Sequence, residues 1–153
     1  LAQAGIGQYD VKTTPLQVSM MSAAIANDGV QMKPNLIRSV KSHNLSSLYE
    51  FSAQELRKST SPAVAQQVKD WMINDVENGI ASGGAVDGIK VAGKTGTAEI
   101  GDSGLNNAWF TGFAPADDPQ IAIAVVYEGV DTAEGASLAA PAAKQIFEAV
   151  LNK

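Results

Sequence analysis

Gly88-Ile89-Lys90-Val91-Ala92-Gly93-Lys94-Thr95-Gly96-Thr97-Ala98-Glu99 is the stretch on which the fold turns, because it fits two incompatible structures. Its first eight residues satisfy G-x-x-x-x-G-K-[ST], the pattern of a phosphate-binding loop set between a buried strand and a helix. That geometry asks for a strand before Gly88 and a helix beginning at Lys94-Thr95. The residues before it are Ser82-Gly83-Gly84-Ala85-Val86-Asp87, too rich in glycine for a central strand. Ile89 to Ala92 alternate as a strand does, and Thr95, Gly96, Thr97 and Gly101 make a poor first helical turn. The stretch is therefore read as a strand from Ile89 to Glu99, and the nucleotide reading is set aside.

Outward from that strand the pattern stays regular. Asn107 to Ala114 and Gln120 to Glu128 read as two more strands, with turn signals at Asp102-Ser103-Gly104 and Asp117-Asp118-Pro119. Such short connections predict an antiparallel meander. Ile121 to Val126 is continuously apolar, which predicts a strand covered on both faces by helices. Ala139 to Leu151 supplies one helix, with Pro141 in its first turn and Ile146, Phe147, Val150 and Leu151 facing inward. Two helices lie upstream. Thr14-Pro15 opens one that runs to Asn27, with Leu16, Met20, Ala23 and Ala24 on its apolar side, widened by Met21 and Ile25. Ser61-Pro62 opens the other, which runs to Asn78 with a stripe of Val64, Val68, Trp71, Met72 and Val76. Gly29 and Gly79 stop them. Leu36 to Val40 reads as a short strand, Lys41 to Ser61 as a polar surface excursion with a weak hairpin, and Ile80 to Gly88 as a flexible loop. The predicted fold class is α+β: an antiparallel sheet with a C-terminal helix packed on it.

The chain of 153 residues is long enough for a hydrophobic core, and 45% apolar against 18% charged residues places it with folded domains. A net charge of −5, with no run of Lys or Arg, argues against nucleic acid as a partner. Without cysteine there are no disulfides, thiol nucleophiles or thiolate metal sites. His43 is the only histidine, so neither a Ser/His/Asp triad nor a multi-histidine metal site is expected. No stretch is apolar enough to span a bilayer, and no secretory leader is evident.

A strand carrying Lys94-Thr95-Gly96-Thr97 has the right chemistry to line an acyl-transfer cleft. Its backbone N–H groups can meet a developing oxyanion, and its carbonyls can meet a substrate amide. Gly96, without a Cβ, lets substrate approach the backbone. The hydroxyls of Thr95 and Thr97 can donate to a substrate carboxylate, and Lys94 brings a fixed positive charge to hold it. Alternation sets Lys94 and Gly96 on one sheet face and Thr95 and Thr97 on the other, so the cleft is expected along the strand's edge.

The order Gly5-Ile-Gly-Gln8, Thr14-Pro-Leu-Gln17, Ala26-Asn-Asp-Gly29 and Pro34 resembles the class B penicillin-binding proteins. Lys94-Thr-Gly-Thr-Ala-Glu99 followed by Trp109-Phe-Thr-Gly-Phe-Ala-Pro115 extends that resemblance over nearly the whole chain, weakest from Lys41 to Ser61. The resemblance implies the penicillin-binding protein and serine β-lactamase-like transpeptidase fold, with residues 1–153 as the C-terminal portion of one transpeptidase domain. It implies D,D-transpeptidation of peptidoglycan: a serine attacks the D-Ala-D-Ala end of a stem peptide, and an amine resolves the acyl-enzyme. β-Lactam antibiotics would acylate the same serine. By the same resemblance Lys94 and the backbone N–H of Thr97, half of the oxyanion hole, are catalytic, and Thr95, Gly96 and Thr97 bind substrate. No cofactor and no metal is implied. The location implied is the cell envelope, on the outer face of the bacterial cytoplasmic membrane, beside the cell-wall synthesis machinery.

The family pattern also asks for S-x-x-K and S-x-N. No serine here has Lys three residues on, and Ser42-His43-Asn44, the one S-x-N match, falls in the polar excursion and reads as a turn. The chain is therefore expected to be a piece of a longer polypeptide whose N-terminal part brings the nucleophile, and to be inactive alone. Two alternatives use the same residues: a non-catalytic β-lactam sensor or peptidoglycan-binding module, and a region that chiefly docks partners through an exposed excursion. Asp117-Asp118 and Asp70/Asp75 read as solvated carboxylates, and Trp109 as a buried strand aromatic in preference to a cleft residue.

Overall fold

A computed structural model describes residues 2–5, 11–101, 103–131 and 135–151. Ile6, Gly7 and Gln8 of the family resemblance and Asp102 of the first turn signal lie outside the described residues.

Helix α1 (Ala2–Gly5) is a single turn. Helix α2 (Pro15–Ala26) starts at Thr14, the cap its sequence predicts, and Gln17 makes that cap reciprocal. The Gln17 N–H donates to Thr14 Oγ1 at 3.2 Å, and the Thr14 N–H donates to Gln17 Oε1 at 2.9 Å. Past its end Gly29, at φ +85°, takes a backbone conformation that L side chains rarely adopt, and its N–H donates to the Ala24 carbonyl at 2.7 Å. The buried residues are Val18, Ser22 and Ala24, whereas Leu16, Met21 and Ala23 of the expected apolar side are exposed. Ser22, on the buried side, hydrogen-bonds Thr111 of the sheet.

Residues 30–58 form two small antiparallel ribbons. Strand β1 (Val30–Met32) pairs with β4 (Glu55–Lys58), and β2 (Ser39–Lys41) pairs with β3 (Ser47–Glu50). The strand expected from Leu36 thus forms only at its end, and Leu36 is fully exposed. The hairpin of the excursion is β2–β3. The β1–β4 pairing leaves no mark in the sequence, because three- and four-residue polar strands are too short to show alternation.

Helix α3 (Pro62–Asn78) is capped by Ser61 and stopped at Gly79, as predicted. Ala65, Met72 and Val76 are its buried face, while Val64 and Trp71 are exposed. Trp71 precedes Met72 by one residue, which turns it about 100° around the helix and off the buried face. The segment after α3 is packed rather than flexible. Ile80–Gly84 forms a 3-10 turn, a bridge joins Val86 to Ile89, and Ala81 and Val86 enter the core.

Strands β5 (Ala92–Glu99), β6 (Asn106–Ala114) and β7 (Ile121–Val130) form the predicted antiparallel meander, in the order β5-β6-β7. Strand β5 begins at Ala92 rather than Ile89. Lys94 and Thr95 lie inside it, so the helix start required by a phosphate loop is absent. Strand β7 packs against α2 and α4 (Gly135–Leu151), which gives the two-sided cover its apolar run predicts. Helix α4 starts earlier than expected, so Pro141 lies within it. Ala139, Ala140, Ala143 and Phe147 are buried, and Leu151 packs partly on the core. Ile146 and Val150 are exposed instead of inward, each one residue off that stripe.

The core lies between the sheet and α4. Phe110 is wholly buried and meets Phe147 edge to face, with ring centroids 6.4 Å apart and planes at 73°. A Cβ on Gly93 would run into the Phe110 ring, and one on Gly84 would lie 2.8 Å from its Cε2. On the opposite face Met72, Ala92, Phe113 and Ala116 form a second buried cluster under α2 and α3. Lys90 ties the start of this region to the turn between β6 and β7. Its Nζ donates to Asp117 Oδ2 at 3.0 Å, and that hydrogen bond and charge raise the Lys90 pKa above its ordinary value. Asp117 is thus exposed but paired, and the pair is a weak contributor because water reaches both groups.

Gly93→Ala is expected to cost about 1–3 kcal/mol, since the added methyl has no room beside Phe110. Urea denaturation measures it, and an unchanged midpoint would show that the ring can yield.

Candidate functional site

The parity of β5 follows from the two clusters. Ala92 belongs to the α2–α3 side and Gly93 faces Phe110 on the α4 side. The register to β6 is unbroken, so Lys94 and Gly96 share the α2–α3 face with their partners Thr111 and Trp109. Thr95 and Thr97 share the other face with Phe110 and Ala108. Among the described residues β5 has one neighbouring strand and is an edge of the sheet. Alternate backbone groups along an edge strand face away from its partner, the arrangement an extended ligand can use.

A hollow of about 360 Å³ runs along this edge. Lys94, Thr95, Gly96, Thr97 and Ala98 line it together with Trp109, Thr111 and residues of the α2 region. All four sequence-predicted site residues, Lys94, Thr95, Gly96 and Thr97, therefore border one space despite their alternation. Trp109 lines the hollow and is only half-buried, contrary to the expectation of a core aromatic. A Cβ on Gly96 would meet nothing closer than Trp109 Cβ, at 3.6 Å, an ordinary contact. Gly96, unlike Gly93, is not required by packing within the chain.

A second, larger hollow of about 640 Å³ lies between α2 and α3. Met21, Ile25, Val68, Trp71 and Met72 make it mainly apolar. Met21, Lys94 and Thr111 border both hollows. Lys94 thus stands on the ridge between them, and its Nζ donates to Asp75 Oδ2 at 3.1 Å.

Three residues outside the sequence-predicted site, Ser22, Thr111 and Asp75, hold this ridge together. Ser22 Oγ and Thr111 Oγ1 lie 2.6 Å apart, and Thr111 donates its proton to the Ile123 carbonyl at 2.9 Å. With that proton committed, Ser22 is the donor to Thr111. The bond fastens α2 across β6 beside Lys94. Asp75, expected to be a solvated carboxylate, is instead the partner of Lys94. A sequence signal existed: Asp75 lies three residues after Met72 and seven after Val68, on the inward row of α3. Asp70 stays exposed and accepts from Gln66 Nε2 at 2.8 Å. Ser42-His43-Asn44 forms the exposed turn between β2 and β3, with Ser42 Oγ bonded to Asn44 Oδ1 and to Ser46. It lies outside both hollows.

A family model for the penicillin binding protein transpeptidase domain matches residues 1–148. The chain belongs to that family. It is 40% identical to the peptidoglycan D,D-transpeptidase PbpA of Mycolicibacterium smegmatis, over 100% of this chain and 32% of that protein. It is 30% identical to the peptidoglycan D,D-transpeptidase MrdA of Acinetobacter baumannii, over 94% of this chain and 23% of that protein. A solved structure of penicillin-binding protein A from M. tuberculosis, an imipenem acyl-enzyme complex, superposes with a TM-score of 0.88 at 38% identity. That superposition covers 99% of this chain and 34% of that one. The chain therefore spans about a third of the length of the PbpA relatives it matches. These findings bear out the class B resemblance and the α+β transpeptidase fold.

Replacing Thr111 with Val is expected to destabilise the protein by about 1–3 kcal/mol, because buried Ser22 loses the acceptor for its proton. A thermal midpoint equal to that of the unmodified protein would show that Ser22 finds another acceptor.

Proposed function

We propose that this chain is the C-terminal portion of a single transpeptidase domain that cross-links peptidoglycan stem peptides by serine acyl transfer. It supplies the Lys94-Thr95-Gly96-Thr97 strand of the cleft. The nucleophilic serine and its lysine belong to the N-terminal part of the same protein, and the 153 residues alone are inactive. The D-Ala-D-Ala end of a stem peptide lies along the edge of β5 with its carboxylate on Lys94 and the Thr95 and Thr97 hydroxyls. The Thr97 N–H gives half of the oxyanion hole, aimed at charge that develops only in the transition state. β-Lactams acylate the same serine.

The observation that carries this reading is Gly96. It sits mid-strand on a wall of the hollow where packing would accept a side chain, so its missing Cβ is explained by the close approach of something outside the chain. The relatives support the same chemistry, since they are peptidoglycan D,D-transpeptidases and one neighbouring structure is an imipenem acyl-enzyme. Among the described residues no helix is long and apolar enough to cross a membrane. The proposed site of action, the outer face of the cytoplasmic membrane, therefore relies on an anchor elsewhere in the protein.

A second role rests on a separate observation. Leu36, Leu45 and Leu48 are exposed on the β2–β3 ribbon and its approach. Exposed apolar side chains on so small a ribbon favour docking of a cell-wall synthesis partner there. Replacing all three with Ser is expected to leave acylation intact and to weaken recovery of such a partner. Equal recovery would remove the docking role.

Fluorescent penicillin distinguishes the proposal from a free-standing enzyme. The full-length protein is expected to become covalently labelled, and the isolated 153 residues are expected to stay unlabelled. Labelling of the isolated chain would refute the division of the site. In the full-length protein Gly96→Ala is expected to keep its folding stability within about 1 kcal/mol and to slow labelling about tenfold or more through obstruction of the strand edge. Unchanged labelling would show that ligand does not approach there.

A further inference from the structure

The geometry points to Asp75 as the positioning residue of Lys94, an inference that rests on the reading of Lys94 as the lysine that holds the substrate carboxylate. A lysine side chain has a flexible four-carbon stem and spreads over many rotamers in water. Packing does not restrain this one, since 58% of its side chain is exposed. Its ion-pair partner is Asp75, and the two side chains come from segments 19 residues apart.

Asp75 is well suited to the task because it is itself held. Its side chain is only 20% exposed. The Ile80 N–H donates to Oδ1 at 3.2 Å, and the Gly79 N–H donates to the Asp75 carbonyl at 3.0 Å. A Cβ on Gly79 would collide with Oδ1, so glycine at the end of α3 makes the room in which the carboxylate sits. One carboxylate oxygen is fastened to the turn, which leaves the other to receive the ammonium.

The two hollows decide what this does to a ligand. Asp75 borders the apolar hollow between α2 and α3 but not the one along β5, whereas Lys94 borders both. An ammonium has three N–H donors. One goes to Asp75, and the others stay available to an anion that arrives along β5 from the far side. The aspartate thus anchors the ammonium without standing where the ligand carboxylate lies. Without it, Lys94 would have to be ordered by the ligand itself, at a cost in affinity of about tenfold from side-chain entropy.

A double-variant cycle in the full-length protein tests this, with stopped-flow acylation by a fluorescent penicillin resolved into the binding constant Ks and the acylation rate k2. Asp75→Asn, which keeps the shape and loses the charge, is expected to lower k2/Ks about tenfold, mainly through Ks. Asp75→Glu is expected to recover part of that loss. On a Lys94→Ala background, Asp75→Asn is expected to change k2/Ks by less than about twofold, because there is nothing left to position. The assignment is overturned if Asp75→Asn alone stays within twofold of the unmodified protein. It is equally overturned if the loss is as large without Lys94 as with it, since Asp75 would then act on the fold. Should Lys94→Ala alone acylate normally, the role of Lys94 fails first, and that single variant separates the two failures.

Discussion

Phe110 is wholly enclosed between the sheet and α4, and its ring lies in space that exists because Gly84 and Gly93 have no side chains. One aromatic side chain thus joins three pieces of the chain: the turn after α3, the first half of β5, and the strand β6 that bears it. Phe147 closes the fourth side from α4. Packing of this density leaves little freedom for a strand to slip. A slip of one residue along β5 would move Gly93 out from under the ring and bring Lys94 against it. The cost of burying an ammonium there forbids that register.

The same constraint sets the site. With Gly93 held against Phe110, alternation delivers Lys94 and Gly96 to the α2–α3 face and leaves the strand's other edge without a partner strand among the described residues. The ridge is then completed from elsewhere. Ser22 reaches Thr111 from α2, and Asp75 reaches Lys94 from α3. Each contact is a single polar bond at the margin of an apolar surface. Such bonds add little to stability compared with the clusters beneath them, but they fix orientation, which is what a charge-holding residue needs.

Much of the fold is legible in the chain itself, for reasons that can be named. Thr14-Pro15 and Ser61-Pro62 mark helix starts because a cap and a preset φ act within four residues, and Gly29 and Gly79 mark the ends equally locally. The meander follows from three apolar runs separated by turns too short for a crossover. The rotation of each helix about its axis does not follow in this way. Leu16, Trp71, Ile146 and Val150 are as apolar as the residues actually buried, and the choice between adjacent stripes belongs to the surface each helix meets. For α2 that surface includes Thr111, which draws Ser22 inward and Leu16 outward. The short ribbons β1–β4 and β2–β3 are nearly silent in sequence, because few of their side chains are buried to impose a pattern.

The sequence by itself determined the order of the three long helices and the three meander strands, the family motif on β5, and the absence of S-x-x-K. These are local patterns, and local physics writes them. The tertiary structure alone decided which partners the motif residues have. Asp75 looked like a solvated carboxylate and Trp109 like a core aromatic, because hydropathy records what a side chain is and not what it faces. Residues 22, 75, 94 and 111 meet only after α2 and α3 have docked on one face of a sheet whose other face is claimed by Phe110.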